Sequence, residues 1–180
     1  MRITTGKYKA RNIKMPKGIR PTQDKVRKAL FDILGDIEGL SFLELFAGSG
    51  AVGLEAVSRG VETLALVEYN RDCLLAMRKN IESLKVKACS IYPQEASAAI
   101  IALHQEGRKF DIIFLDPPYH KDMAKKTLQT LSAYDILAPN GFMVVQHFKK
   151  ENLPETLGVF VLFKQHKYGD NILTFYRKAG

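Results

Sequence analysis

Apolar positions follow two alternating rhythms along this chain. Runs that are apolar nearly throughout cover residues 41–46, 61–67, 86–92, 110–115 and 142–147. Such runs, bounded by glycine or polar turns, predict strands buried on both faces of a sheet. Between them, apolar residues three and four positions apart predict helices over 23–34, 49–58, 71–84, 96–105 and 121–134. In the first helix Val26, Ala29, Leu30, Ile33 and Leu34 form one stripe, Thr22 follows Pro21 as an N-cap, and Gly35 and Gly39 end it. In the third, Cys73, Leu74, Met77 and Ile81 face inward. Pro139-Asn140-Gly141 reads as a turn before the fifth strand. Two further runs, 160–165 and 171–176, flank Tyr168-Gly169-Asp170 and predict a closing antiparallel hairpin.

Alternating β and α units place the chain in the α/β class, with a mostly parallel seven-stranded sheet covered by helices on both faces. Ligands in such sheets bind outside the carboxyl ends of the strands, where strand order reverses. No repeat and no linker separates two cores. The expected organisation is a basic extension, residues 1–20, on a single domain, residues 21–180.

Charge alters the picture at one end. The chain of 180 residues carries a net charge of +8, and residues 1–20 hold Arg2, Lys7, Lys9, Arg11, Lys14, Lys17 and Arg20 before the first acid, Asp24. Ile3, Tyr8, Ile13 and Met15 interleave with these cations, and Gly6 and Asn12 offer turns. The pattern predicts a short β-hairpin with one basic face, suited to a polyanion. Nucleic acid is favoured over a membrane surface, because no amphipathic helix accompanies the charge. No run is long enough to span a bilayer and the N-terminus has no secretory pattern, so a cytoplasmic location is expected; a monomer is the default expectation. Cys73 and Cys89 are the only cysteines and read as buried thiols. His104, His120, His147 and His166 have no ligand spacing, so no metal is expected.

Two motifs carry the chemistry. Phe42-Leu43-Glu44-Leu45-Phe46 runs into Ala47-Gly48-Ser49-Gly50-Ala51-Val52-Gly53, which contains G-x-G-x-x-G. Glycine permits a tight turn and close approach of a ligand. Glu68 ends the next strand, 20 positions after Gly48, where a carboxylate can accept both hydroxyls of a ribose. This is a nucleoside-binding unit whose ligand the spacing leaves open between NAD and S-adenosylmethionine. Glu44 suits the cationic tail of the latter, and no hydride-transfer set is visible. The second motif, Asp116-Pro117-Pro118-Tyr119, follows a buried strand. Two prolines stiffen the strand end and leave carbonyls outside the ladder, between a carboxylate and an aromatic ring. That array suits a planar base held by its exocyclic amine.

These segments resemble a known family. Glu44-Leu45-Phe46-Ala47-Gly48-Ser49-Gly50 is similar to motif I of class I S-adenosylmethionine-dependent methyltransferases, which are Rossmann-like. Asp116-Pro117-Pro118-Tyr119 is similar to motif IV of those that methylate an exocyclic amine. Met1-Arg2-Ile3, Gly6-Lys7-Tyr8-Lys9, Arg20-Pro21-Thr22, Val26-Arg27-Lys28-Ala29-Leu30-Phe31 and Tyr168-Gly169-Asp170 resemble the RsmD-type bacterial 16S rRNA guanine-N2 methyltransferases. The resemblance implies S-adenosylmethionine as cofactor, held by Thr22, Glu44, Phe46, Ala47, Gly48, Ser49, Gly50, Glu68 and Glu95. It implies 16S rRNA, within the small subunit or its assembly intermediate, as partner, docked on Arg2, Lys7, Lys9, Arg11 and Arg20. Catalysis would fall to Asp116, Pro117, Pro118 and Tyr119, with Tyr119 stacked on the base. The chain departs from the family at Glu44, where Asp is frequent, at Gln94-Glu95, and at Gln146-His147, where the strand often ends in Glu. Competing readings are a DNA adenine-N6 or cytosine-N4 methyltransferase, disfavoured by the lack of a target-recognition domain, a non-catalytic RNA-binding module, and an NAD oxidoreductase.

Overall fold

The structure, a computed structural model, describes residues 1–16, 18, 24–118 and 122–180. In chain order the elements are α1 (Asp24–Leu34), β1 (Ser41–Leu45), α2 (Ala51–Ser58), β2 (Thr63–Val67), α3 (Arg71–Leu84), β3 (Cys89–Tyr92), α4 (Ala96–Gln105), β4 (Phe110–Leu115), α5 (Met123–Ala133), β5 (Leu137–Phe148), β6 (Thr156–Leu157), β7 (Phe160–Tyr168) and β8 (Asn171–Lys178). They build one eight-stranded sheet ordered β3-β2-β1-β4-β5-β8-β7-β6. Strands β3 through β5 pair in parallel, and β8, β7 and β6 add antiparallel. Strand order reverses between β1 and β4, opening a crevice at their carboxyl ends.

Each inner strand splits its side chains between two cores. Phe42, Leu64, Leu66, Ile112, Phe114, Val144 and Leu173 face α1, α2 and α3, against Val26, Leu30, Phe31, Leu54 and Met77. Leu43, Leu45, Ala65, Val67, Ile113, Leu115 and Val145 face α4 and α5, against Ile100, Leu103, Leu128 and Leu131. Burial on both faces explains why these strands read as unbroken apolar runs.

Several expected boundaries shift, each for a local reason. The sheet has eight strands where seven are predicted, because β6 is two residues long and leaves no periodic trace. The third strand starts at Cys89 and not at 86, since Lys85 turns left-handed and the Val86 N–H closes back on the Ile81 carbonyl. Pro139-Asn140-Gly141 is no simple turn before a strand. It lies inside β5, whose register against β4 jumps from Phe110↔Leu137 to Ile112↔Phe142. The proposed cap Thr22 lies outside the described residues.

The N-terminal segment folds back on itself through one antiparallel bridge, Arg2↔Asn12, without forming regular strands. Backbone bonds from Ile3 N to Arg11 O and from Ile13 N to Met1 O flank it. Ile3 and Ile13 are buried in the core beneath α1 to α3. The segment is tied to α2 by a fully buried carboxylate. Glu55 accepts from the Thr4 hydroxyl (2.6 Å), the Thr4 N–H (2.8 Å), the Thr5 N–H and Arg59 Nε (both 3.1 Å). The buried Arg27 guanidinium of α1 lies 3.9 Å from the same carboxylate and donates to the Arg2 carbonyl at 2.6 Å.

Candidate active site

At the end of β1 the chain leaves the sheet abruptly. Phe46 adopts φ 60°, a left-handed conformation unfavourable for a side chain that branches into a ring, and Gly48 (56°) and Gly50 (76°) follow in the same region. The Ala47 N–H donates to the Val67 carbonyl at 2.9 Å, anchoring the turn to β2. A Cβ on Gly48 would meet nothing within 4 Å among the described residues, so this backbone is open to a ligand. Gly53 serves packing instead. A Cβ there would stand 2.7 Å from Leu64 and Leu66 methyls and 2.9 Å from Glu44 Oε2.

Two acids frame this turn. Glu44 is buried within β1 and accepts from the Gly53 N–H at 2.7 Å. Burial pushes its pKa up to about 8. The Gly53 hydrogen bond opposes that rise, the charges of Asp116 and Glu68 add to it, and Arg27 offsets part of it. At neutral pH Glu44 is therefore mainly protonated. Glu68, at the carboxyl end of β2, spreads its carboxylate over three backbone donors: Gly48 N (2.8 Å), Tyr69 N (2.9 Å) and Asn70 N (2.8 Å). The acid and the Gly-rich turn are thus one connected unit. Glu95 is exposed at the N-terminus of α4, past the end of β3.

Asp116 and Pro117 follow β4 directly, on the other side of the crevice from the Gly-rich turn. Asp116 is half-buried, Pro117 buried and Pro118 exposed. Tyr119 lies outside the described residues, as do Arg20 and Thr22. At the end of β5, Gln146 and His147 point to opposite faces. His147 is buried, bonds through Nε2 to Thr174 Oγ1 at 2.8 Å, and lines a polar cavity of about 450 Å³ with Lys149, Gln165 and Ile172. Burial lowers its pKa and favours the neutral ring.

Carboxyl-end geometry therefore gathers Glu44, Phe46 to Gly50, Glu68, Asp116 and Pro117 along β2, β1 and β4. Glu95 sits one strand further out, past the end of β3 at the start of α4. The basic candidates Arg2, Lys7, Lys9 and Arg11 are exposed on a different element. Lys7 N–H donates to the Ser58 carbonyl, at the C-terminal end of α2. Since α2 starts at the Gly-rich turn and has 8 residues, Lys7 lies about 12 Å along the helix from that turn.

The family model described as conserved hypothetical protein 95 matches residues 1–177. The chain belongs to this family, the RsmD family of methyltransferases. YlbH of Bacillus subtilis (strain 168) is 35% identical over 184 residues, covering 100% of both chains. Ribosomal RNA small subunit methyltransferase D of Escherichia coli (strain K12) is 31% identical, over 99% of this chain and 90% of that protein. The solved structure of yhhF from Escherichia coli aligns with a TM-score of 0.88 at 30% identity, over 99% of this chain and 97% of that one.

Within this RsmD-family frame the fold exposes site residues that sequence reasoning missed. Asn80 of α3 is 1% exposed. Its Nδ2 donates to the Lys14 and Ser49 carbonyls (3.0 and 3.1 Å), and its Oδ1 accepts from the Lys14 N–H (2.8 Å). It staples the N-terminal segment to the Gly-rich turn, and Ser49 Oγ reaches Met15 Sδ at 3.0 Å beside it. The available signal was a polar residue on the inward stripe Cys73, Met77, Leu84. Tyr69 leaves 57% of its surface exposed next to Glu68, an aromatic ring at a strand end that periodicity does not mark. Among the described residues no helix is long and apolar enough to cross a membrane, and no cluster of three metal-ligating side chains occurs. Burial raises both thiols, Cys73 to about 11 and Cys89 to about 12, and neither forms a disulfide.

Proposed function

We propose that this protein methylates the exocyclic N2 of a guanine in 16S rRNA, using S-adenosylmethionine. The carrying observation is the pairing of β1 with β4, which sets Asp116-Pro117 across the crevice from a glycine turn tied to Glu68. The name of the Escherichia coli relative supports a small-subunit rRNA substrate.

The residues present fit that cofactor. Gly48 has open space at its Cβ position, and an acid at the strand end is in register with the turn. Glu68 would hold the ribose hydroxyls, the backbone of residues 46–50 and the Thr22 hydroxyl the amino-acid end, and Glu95 would stand beyond β3. S-adenosylmethionine, when bound, supplies an electrophilic sulfonium methyl. Guanine N2 is a weak nucleophile because its lone pair is delocalised into the ring. Asp116 and the Pro117 carbonyl accept its two N–H bonds and favour a pyramidal nitrogen with the lone pair freed. Positive charge grows on that nitrogen in the transition state, where a fixed carboxylate stabilises it more than in the ground state. Tyr119 stacks on the base once it has left its helix or loop. Arg2, Lys7, Lys9, Arg11 and Arg20 engage phosphates flanking the target, at a distance from the reacting atom.

Mass mapping of 16S rRNA nucleosides, with and without the active protein, tests this reading. N2-methylguanosine should appear at one position with the wild-type enzyme and vanish with Asp116→Ala, while cofactor binding persists. Methylation elsewhere than N2, or full activity of Asp116→Ala, overturns it.

A further inference from the structure

Among the described residues, two polar atoms in the C-terminal half of the sheet are buried without a hydrogen-bond partner: Gln146 Oε1 and His166 Nε2. They belong to one transverse row. Gln146 of β5 pairs with Leu173 of β8, which pairs with His166 of β7. The row continues to the candidate active site. Leu115 and Val145 are the last paired positions of β4 and β5, so Asp116 and Gln146 each stand one residue beyond. Leu115 and Val145 face α4 and α5, and Phe114 and Val144 face the opposite core. Alternation therefore directs Asp116 and Gln146 to the same side. The charge of Asp116 acts on Glu44, on that side. Neighbouring strands are about 4.8 Å apart. Gln146 is thus the next polar side chain along the sheet from Asp116, 3% exposed and with an acceptor unused among the described residues.

Buried acceptors are nearly always satisfied in folded proteins. An orphan one strand from the residue that would hold N2 of a guanine has unmet capacity within reach of that base. We propose that Gln146 reads the edge of the target guanine, its Oε1 accepting from the N1–H while its amide nitrogen donates to O6. The assignment rests on the guanine-N2 reading above. On guanine the N1–H is adjacent to the N2 amine, so two acceptors on neighbouring strands match two donors on one edge. Adenine and cytosine present a lone pair at the position where guanine carries this N–H, so the contact also selects among bases that bear an exocyclic amine. His166 Nε2, two strands beyond Gln146, extends the polar row away from the reacting amine.

A chemical double-mutant cycle tests the contact. The target position, once mapped, is replaced by 1-deazaguanine in 16S rRNA assembled into 30S particles, which keeps N2 but loses the N1–H. kcat/KM is then measured for the wild type and Gln146→Leu on both substrates. Wild type should lose about tenfold on the analogue, the equivalent of one hydrogen bond. Gln146→Leu, which removes the O6 contact as well, should lose at least tenfold on guanine, and the analogue should cost this variant nothing further. Calorimetric binding of S-adenosylhomocysteine reports that the variant is folded, and Gln146→Met replaces it if it is not. If the two losses multiply, so that the variant keeps the wild-type preference for guanine, the assignment is wrong. Absence of N2-methylguanosine in the wild-type product overturns the guanine-N2 reading itself.

Discussion

Glu44 carries its consequence in its protonation. Its folded pKa of about 8 stands above the ordinary value of 4.5. A group raised in this way stabilises the fold fully below its unfolded pKa, and that contribution is lost as pH rises through the folded value. Glu44→Gln keeps an acceptor for the Gly53 N–H without an ionisable proton. Relative to this variant, the wild type should lose on the order of 3–4 kcal/mol between pH 5 and pH 8. Urea denaturation at a series of pH values measures the difference, and parallel curves would relieve Glu44 of the effect. Glu68 makes the complementary case, since its carboxylate already accepts three backbone donors. Glu68→Ala should weaken S-adenosylmethionine binding more than tenfold, a loss of roughly 1.5–3 kcal/mol for hydrogen bonds to a charged group. Isothermal titration checks it, and undiminished affinity in a folded variant removes Glu68 from the site.

At the scale of elements, legibility followed burial. The strands β1, β2 and β4 were readable as continuous apolar runs because both of their faces are covered. The Gly-rich turn was readable because Gly48 and Gly50 take conformations that glycine tolerates best, whereas Phe46 takes one without any such mark. The pairing of Asn80 with Lys14 and Ser49 was not readable, because it joins residues 66 and 31 positions apart. The N-terminal segment was legible in its charge but not in its packing. Its cations remain exposed while Ile3 and Ile13 are buried. Arg11 already donates to the Ser83 carbonyl at 3.0 Å, and Lys7 lies over the Tyr8 ring. Reversing Lys7, Lys9 and Arg11 to Glu should weaken binding to 30S particles and flatten the log–log salt slope by about 2–3. S-adenosylmethionine affinity should hardly change. Filter binding across a salt series decides, and a wild-type slope would mean that RNA docks elsewhere.

Over the whole molecule, the joint between the N-terminal segment and the α/β body turns on Glu55. Its carboxylate is fully buried among Thr4, Thr5, Arg59 and Arg27. Composition marks Glu55 as one more helical acid, and only the assembled fold makes it a junction. Removing it leaves the buried Arg27 guanidinium with only the exposed Asp24 as a counter-charge, at 3.1 Å, and its Nε and Nη1 make no hydrogen bond among the described residues. Glu55→Ala should therefore cost about 3–5 kcal/mol. Thermal and urea unfolding test this, and a loss below 1 kcal/mol would show that the network is dispensable.

The Asn80 staple also orders events in time. Residue 14 meets its partner across 66 intervening steps of chain, and Thr4 meets Glu55 across 51. Closing loops of that length is entropically costly until the distant partners are already in place. We expect the first sixteen residues to dock after α2 and α3 have formed on the sheet, fastening the back of the Gly-rich turn as they do so. The same segment is the first that can lift without disturbing the sheet ladder. In native-state hydrogen exchange the amides of Ile3, Lys7 and Lys14 should open together, at lower free energy than those of β1 and β4. Exchange of all these amides at one common rate would make the segment part of the global unit. If instead they open early, the nucleoside cradle has a latch with its own clock.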